Sequence, residues 1–194
     1  MPKNKSNTRH RKPTIHQKQV VASSRLFNIE QLDLEFSNGE KRQYERLASR
    51  GNGAVLIVPM LDADTVLLIR EYAGGTDRYE LALPKGKVEK GEEILHAANR
   101  EIMEEVGYES ANLVLIKAVS LAPQYMQHHT HIVLAQELSP RREEGDEPEE
   151  LDVIPWKMSE LESLLQRDDF TEARSIAALF MVREHLEHSK SQAE

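Results

Sequence analysis

Cysteine is absent from the 194 residues, so disulfide frameworks, thiolate metal sites and cysteine nucleophiles are excluded together. Long hydrophobic runs are missing too: the longest strongly apolar stretch is about seven residues, against the ~20 that a membrane-spanning helix needs. Positive charge is in deficit. There are 25 Lys and Arg against 33 Asp and Glu, a formal charge of −8, which is a poor basis for tight duplex binding through phosphate contacts. What is present, 39% hydrophobic and 30% charged residues, describes a soluble globular chain rather than a disordered or fibrous one. At ~100–200 residues per domain, one domain with a small appended sheet is expected. The lack of cysteine suits a reducing cytoplasm, which is the expected location.

Charge is unevenly spread. Residues 1–19 hold six cations (Lys3, Lys5, Arg9, Arg11, Lys12, Lys18) and no acid. With neither an apolar core nor an amphipathic face, this stretch reads as a flexible solvated lead, with a nucleic-acid arm the alternative, rather than a signal or transit peptide. Ordered structure is expected from about Val20, as an N-terminal β unit over residues 20–50 followed by a main domain over 51–188. In the first, Leu32, Leu34 and Phe36 alternate with acids. Asn38-Gly39 then offers a type I′ turn into a return strand through Tyr44 to Leu47. In the second, Ala54–Val58, Thr65–Arg70, Tyr79–Leu83, Leu113–Val119 and His131–Ala135 read as strands. A helix is expected between Gly91 and Gly107, a capping box at Ser159–Glu162 opens a short one, and Ile176, Leu179, Phe180, Arg183 and Leu186 stripe a last one. The fold class is thus a mixed α/β sheet packed between helices.

The central helix carries the chemistry. At 100° per residue Ile94, Leu95, Ala98, Ile102 and Val106 span an arc of roughly 120°, the expected buried face. Glu101, Glu104 and Glu105 fill an adjoining arc of about 100°, with Glu105 beside the apolar one. Like charges at this spacing repel and desolvation adds to the cost. Either this is a solvated acidic face, or divalent cations relieve it, since hard ions such as Mg²⁺ seek carboxylate oxygens. The loop Gly86–Gly91 superficially resembles a phosphate-binding P-loop, but Glu92 and Glu93 stand where that motif needs Lys and Ser or Thr. Gly107 fits a left-handed C-terminal cap.

Together Gly86, Glu92, Arg100, Glu101, Ile102, Glu104, Glu105 and Gly107 stand as G-x5-E-x7-R-E-U-x-E-E-x-G-U, where U is bulky and apolar. The stretch 86–108 resembles the signature of the Nudix hydrolase family, departing only at Tyr108, where an aliphatic residue is usual. The resemblance implies an α/β/α sandwich and hydrolysis of the pyrophosphate linkage of nucleoside diphosphates joined to another group. It implies Mg²⁺ or Mn²⁺, two or three ions per site with substrate, held by Glu101 and Glu105 with Glu104 assisting and by the carbonyl of Lys85. Glu92 and Arg100 resemble the pair that braces loop against helix. In the ADP-ribose pyrophosphatase branch the base is a glutamate in a later loop. Here that loop holds Glu143, Glu144, Asp146, Glu147, Glu149 and Glu150, with Glu147 the first candidate and Glu144 the next; most of these acids are expected to be merely solvated.

Residues outside the signature bear on substrate. Pro123, 16 residues after Gly107, resembles the marker of ADP-ribose pyrophosphatases, and Tyr125 that of diadenosine polyphosphate hydrolases. Stretches such as Ser24–Phe27, Leu34–Gly39, Leu68–Ala73, Ala97–Glu101, Glu144–Glu149 and Ala178–Glu184 resemble family members that hydrolyse ADP compounds. That implies small ADP-containing substrates (ADP-ribose, NADH, diadenosine triphosphate), with AMP released. It also implies a homodimer, and no nucleic-acid partner other than RNA bearing an NAD cap. Tyr44-Glu45 is similar to an adenine-binding pair, or is an ordinary hairpin aromatic with its neighbour. Arg46 and Arg70 are candidates for phosphate contacts or for surface roles. Glu71-Tyr72-Ala73 stands where relatives strict for ADP-ribose have Gln-aromatic-Arg, which implies looser tolerance of the distal group. His128, His129 and His131 fit a polar loop entering a strand better than a metal site. The competing functional reading is a non-catalytic Nudix module that senses nucleotides and regulates a partner.

Overall fold

The computed structural model describes residues 11–49 and 51–193. The chain divides into two compact units, one comprising residues up to 50 together with 122–128, the other 51–121 and 129 onward.

In the first unit β1 (Thr14–Ser23), β2 (Asn28–Glu35) and β3 (Lys41–Ala48) form an antiparallel meander in that order. Residues 14–19, expected within a flexible lead, are therefore strand; the rest of that expectation falls on residues 1–10, outside the described residues, and on 11–13, which form neither helix nor strand. The strand has no sequence signal because every residue in it is exposed. Its register comes from β2, where Glu30, Leu32 and Leu34 alternate as the buried positions. The hairpin between β2 and β3 is not the expected type I′ turn. Only Gly39 has positive φ, at 83°, and its N–H donates to the Phe36 carbonyl at 2.9 Å, so one left-handed residue closes the loop instead of two. Residues 122–128 join this unit along β3: the Leu47 N–H donates to the Tyr125 carbonyl at 2.7 Å and the Gln127 N–H to the Leu47 carbonyl at 2.9 Å.

The second unit holds two sheets. One has the order β7-β4-β9-β8, from β4 (Ala54–Pro59), β7 (Lys85–Lys87), β8 (Tyr108–Ser120) and β9 (His129–Pro140). The other has β5 (Thr65–Ala73) between β6 (Arg78–Ala82) and β10 (Asp152–Lys157). Only β4 and β9 run parallel, and both are apolar on both faces. Val55, Ile57, Leu67, Ile69, Val133 and Ala135 pack towards α1 (Ile94–Glu105), against Ala97, Ala98, Ile102 and Val106. Leu56, Val58, Val66, Leu68, Ile132 and Leu134 pack towards α2 (Leu161–Leu164) and α3 (Ala173–Ala193), against Leu164, Ala178, Leu179 and Val182. Continuous Val/Ile/Leu runs are what strands buried on both faces require, and the result is the α/β/α sandwich.

Three local expectations change. Leu95, placed on the buried face of α1, is 38% exposed, and Ala97 and Met103 are buried instead. Ser159 does not cap a helix: its hydroxyl and N–H both go to the Asp64 carboxylate at 2.9 Å. The strand β10 was hidden by Pro155, which an edge strand accommodates because it has a partner on one side only. Among the described residues no helix is long and apolar enough to cross a membrane.

Ile57 is fully buried in the α1-facing cluster. Ile57→Ala should lower unfolding free energy by about 2–5 kcal/mol. Leu115→Ala, at a position 46% exposed, should stay within ~0.5 kcal/mol. Urea midpoints of the two variants check both expectations.

Candidate active site

The box folds as β7, a turn and α1. Gly91, at φ 83°, allows the turn into the helix, and Gly107, at φ 81°, ends it, its N–H donating to the Ile102 carbonyl at 3.0 Å. Gly86 is required by close approach rather than by its own dihedrals: a Cβ there would fall inside the Glu101 carboxylate. The Glu101 side chain is thus seated directly against the backbone of β7.

Arg100 binds loop to helix through several donors. Nε donates to Glu92 at 3.0 Å, Nη1 to Glu104 at 2.9 Å, and Nη2 to the Lys87 carbonyl at 3.1 Å. Nη1 also lies 2.9 Å from Glu101. Glu92 returns to its own loop by accepting the Glu89 N–H at 2.9 Å. The bonds from Arg100 hold the Glu92 carboxyl at about 2, well below the usual range, so this pair stays ionised at any ordinary pH. These contacts join the loop to the helix.

Glu101 and Glu105 are 7% and 4% exposed. Burial pushes Glu101 up to about 7 against the pull of Arg100, with Glu104 and Glu147 adding to the rise. Burial likewise pushes Glu105 up to about 8 against the pull of Lys85, whose N–H donates to it at 2.8 Å. Two nearly buried carboxylates one turn apart, too few cations beside them, form a donor set that suits a hard divalent ion. With the side chains as they stand, no three acidic or imidazole groups among the described residues enclose an ion; Arg100 Nη1 touches both Glu101 and Glu104.

The acidic loop lies on the same helix. The Glu143 N–H donates to the Met103 carbonyl at 3.2 Å and the Arg141 N–H to the Gly107 carbonyl at 3.0 Å. Further along, Glu149 accepts the Tyr79 hydroxyl at 2.6 Å. Between these anchors a cleft of about 480 Å³ is lined by Glu104 and by loop residues including Glu144, Gly145 and Glu147. Gly145 is another site of close approach, since a Cβ there would meet the Glu147 carboxylate. The charge of Glu147, from this loop, is felt at Glu101.

The remaining candidates lie on other elements. Tyr44, Glu45 and Arg46 on β3, with Pro123 and Tyr125, belong to the first unit. Tyr44 and Tyr125 are 50% and 69% exposed. Arg46 is held by the buried Glu30, with Nη2 at 2.7 Å and Nε at 2.8 Å, which accounts for its charge within that unit. Arg70 on β5 pairs with Asp169 at 3.3 Å. The sequence reading missed the Tyr79 anchor and an ion pair between Lys85 and Glu71 at 2.6 Å. The first ties β6 to the acidic loop and the second crosses from one sheet to the other, and no local pattern announces such contacts.

A NUDIX domain family model matches residues 52–180 and a NudE-type Nudix hydrolase N-terminal domain model matches residues 13–46. The ADP compounds hydrolase NudE of Escherichia coli (strain K12) is 50% identical over 90% of this chain and 94% of its own. The ADP-ribose pyrophosphatase of Bacillus subtilis (strain 168) is 28% identical over 84% of this chain and 88% of its own. A solved structure described as the crystal structure of ADP compounds hydrolase is 48% identical, covers 93% of this chain and 97% of that chain, and superposes with a TM-score of 0.85. With both models matched and half the aligned residues shared with one relative, the chain belongs to the Nudix hydrolases, and within them to those of NudE type.

Proposed function

We propose that this Nudix pyrophosphohydrolase cleaves the diphosphate bridge of small ADP-containing compounds, among them ADP-ribose, NADH and diadenosine triphosphate, with release of AMP. The observation that carries this reading is the pair of buried carboxylates, Glu101 and Glu105, packed on β7 in a chain 50% identical to an ADP compounds hydrolase. RNA carrying an NAD cap offers the same ADP half and belongs to the same substrate class.

Glu101 and Glu105, with Glu104 and the Lys85 carbonyl, are proposed to hold Mg²⁺ or Mn²⁺, two or three ions with substrate. When bound, such ions screen the diphosphate charge and lower the pKa of a water. The chain's own residues supply the rest. Arg100 and Glu92 keep the box loop at fixed distance from α1, as supporting contacts do in metal sites generally. Glu147 is proposed to take the proton from the attacking water, with Glu144 the second candidate. The water oxygen adds to phosphorus, the bridging P–O bond breaks, and AMP leaves. Tyr44-Glu45, Pro123 and Tyr125 are proposed to recognise the ADP half in a homodimer, with Arg70 a further phosphate contact. Arg46 has less to offer, since Glu30 already holds it. A cytoplasmic enzyme is the proposed setting. All the box glutamates are retained, which favours catalysis over the sensing module.

A product-resolved assay across ADP-ribose, NADH and diadenosine triphosphate tests the reading: AMP should appear from each in Mg²⁺, and no AMP from any of them would overturn it. Glu105→Gln should lower kcat by ~100-fold or more, because it removes charge where a cation is to be held. The same change should stabilise the metal-free protein. A carboxyl raised on folding from the ordinary glutamate range to about 8 makes folding less favourable as pH rises through that window. Metal-free wild type should therefore lose stability between about pH 5 and about pH 8 more steeply than Glu105→Gln, as denaturant titrations at both pH values check. Gly86→Ala should cut kcat by about tenfold or more with far-ultraviolet dichroism unchanged, since the new methyl displaces the Glu101 carboxylate. Glu147→Gln should cost ~100-fold in kcat, more than Gln at any other acid of the loop.

A further inference from the structure

Two cations touch the box residues in quite different ways. Arg100 is fastened on every side, to Glu92, Glu101, Glu104 and the Lys87 carbonyl, and could turn outward only by releasing the loop from the helix. Lys85 is joined through its ammonium to Glu71, at 2.6 Å, with the two side chains 24% and 40% exposed. This pair crosses from β7 in one sheet to β5 in the other. It is not needed to hold β7, which is hydrogen-bonded to β4 and whose Lys85 N–H is fixed on Glu105. A partly exposed ion pair is weak and salt-screened, and water replaces either partner readily.

The position of this ammonium matters. Its own backbone N–H holds Glu105, and its charge and that of Glu71 are both felt at that carboxylate. A diphosphate brought to ions held by Glu105 carries its charge into a neighbourhood already crowded by Glu71, Glu101, Glu104 and Glu147. An ammonium on a flexible stem, with three rotatable donors, can follow phosphate oxygens in a way that a clamped guanidinium cannot. We propose that Lys85 is a substrate-binding residue whose ammonium moves from Glu71 to the diphosphate oxygens, and that Glu71 holds it between turnovers. Glu71 and the substrate then compete for one cation. The inference rests on the hydrolase reading given above.

The competition sets the test. Lys85→Met keeps the stem and the backbone but removes the charge, and should raise KM for ADP-ribose by about tenfold or more, with kcat changed less. Glu71→Gln frees the ammonium and should leave KM unchanged or lower it. Manganese titration without substrate should give Lys85→Met a dissociation constant equal to or below that of wild type, since a cation has been removed from beside the proposed ligands. A purely structural ion pair would make both variants worse together. The proposal is overturned if Lys85→Met leaves KM unchanged, if Glu71→Gln raises it, or if Lys85→Met weakens manganese binding. Wild-type AMP release measured in parallel separates failure of this inference from failure of the hydrolase reading.

Discussion

Glu101 and Glu105 stand one helical turn apart on α1, and both have lost nearly all contact with water, an arrangement that costs free energy twice, through repulsion and through desolvation. The protein bears that cost with very local devices. Gly86 supplies the room that Glu101 fills, the Lys85 N–H meets Glu105, and Arg100 gathers Glu92, Glu104 and the loop carbonyl around itself. The raised protonation of the two buried acids and the strong ionisation of Glu92 are two results of one geometry. Where the guanidinium reaches with full hydrogen bonding, charge is favoured; where burial outweighs it, the neutral form is.

The sandwich makes this possible because it fixes α1 from below and the acidic loop from the side. Ala97, Ala98, Ile102 and Val106 lie in the cluster built by β4, β5 and β9, and small side chains at Ala97 and Ala98 let the helix approach the sheet closely. Any tilt of α1 would have to break a close-packed layer, which is expensive for even a methylene of mismatch. The loop after β9 starts fixed to the C-terminal end of α1 and ends fixed to Tyr79 on β6. Tyr79 is in turn braced edge-on by Tyr72 at 5.8 Å. The segment between is thus confined over Glu104, with Glu144 and Asp146 exposed and Glu147 half-buried.

How much of this could be read in the sequence follows from the range of each interaction. The box was legible because its contacts are local: Glu92 to Arg100, Arg100 to Glu104 and the Gly107 cap all lie within about two helical turns or one loop. The buried strands β4, β5 and β9 were legible because burial on both faces writes a continuous apolar run. The strands β1, β7 and β10 were not. The first is exposed along its length, the second is three residues that pair only because β4 is beside them, and the third carries a proline that its edge position excuses. The hairpin turn was misread because Asn38-Gly39 satisfies two turn types, and the strand register, which selects between them, is a property of both strands. The reason for glycine at 86 was invisible for a like cause: the atom it avoids is 15 positions away, on another element.

The two cations at the box divide its electrostatics between them. A net charge of −8 repels a diphosphate at long range, but exposed charges are screened beyond about 8–10 Å at physiological salt, so the approach of an anion is decided by the few groups it meets last. There the carboxylates outnumber the cations, and Arg100 is fully engaged in holding the loop. Rigidity and adaptability therefore fall to different side chains. The guanidinium, planar and multidentate, keeps the carboxylates in register, while the ammonium at Lys85, with a half-exposed partner, keeps the freedom to exchange. Swapping them would fail in both directions, because a lysine at 100 could not span four acceptors and an arginine at 85, held bidentately by Glu71, would be slow to let go.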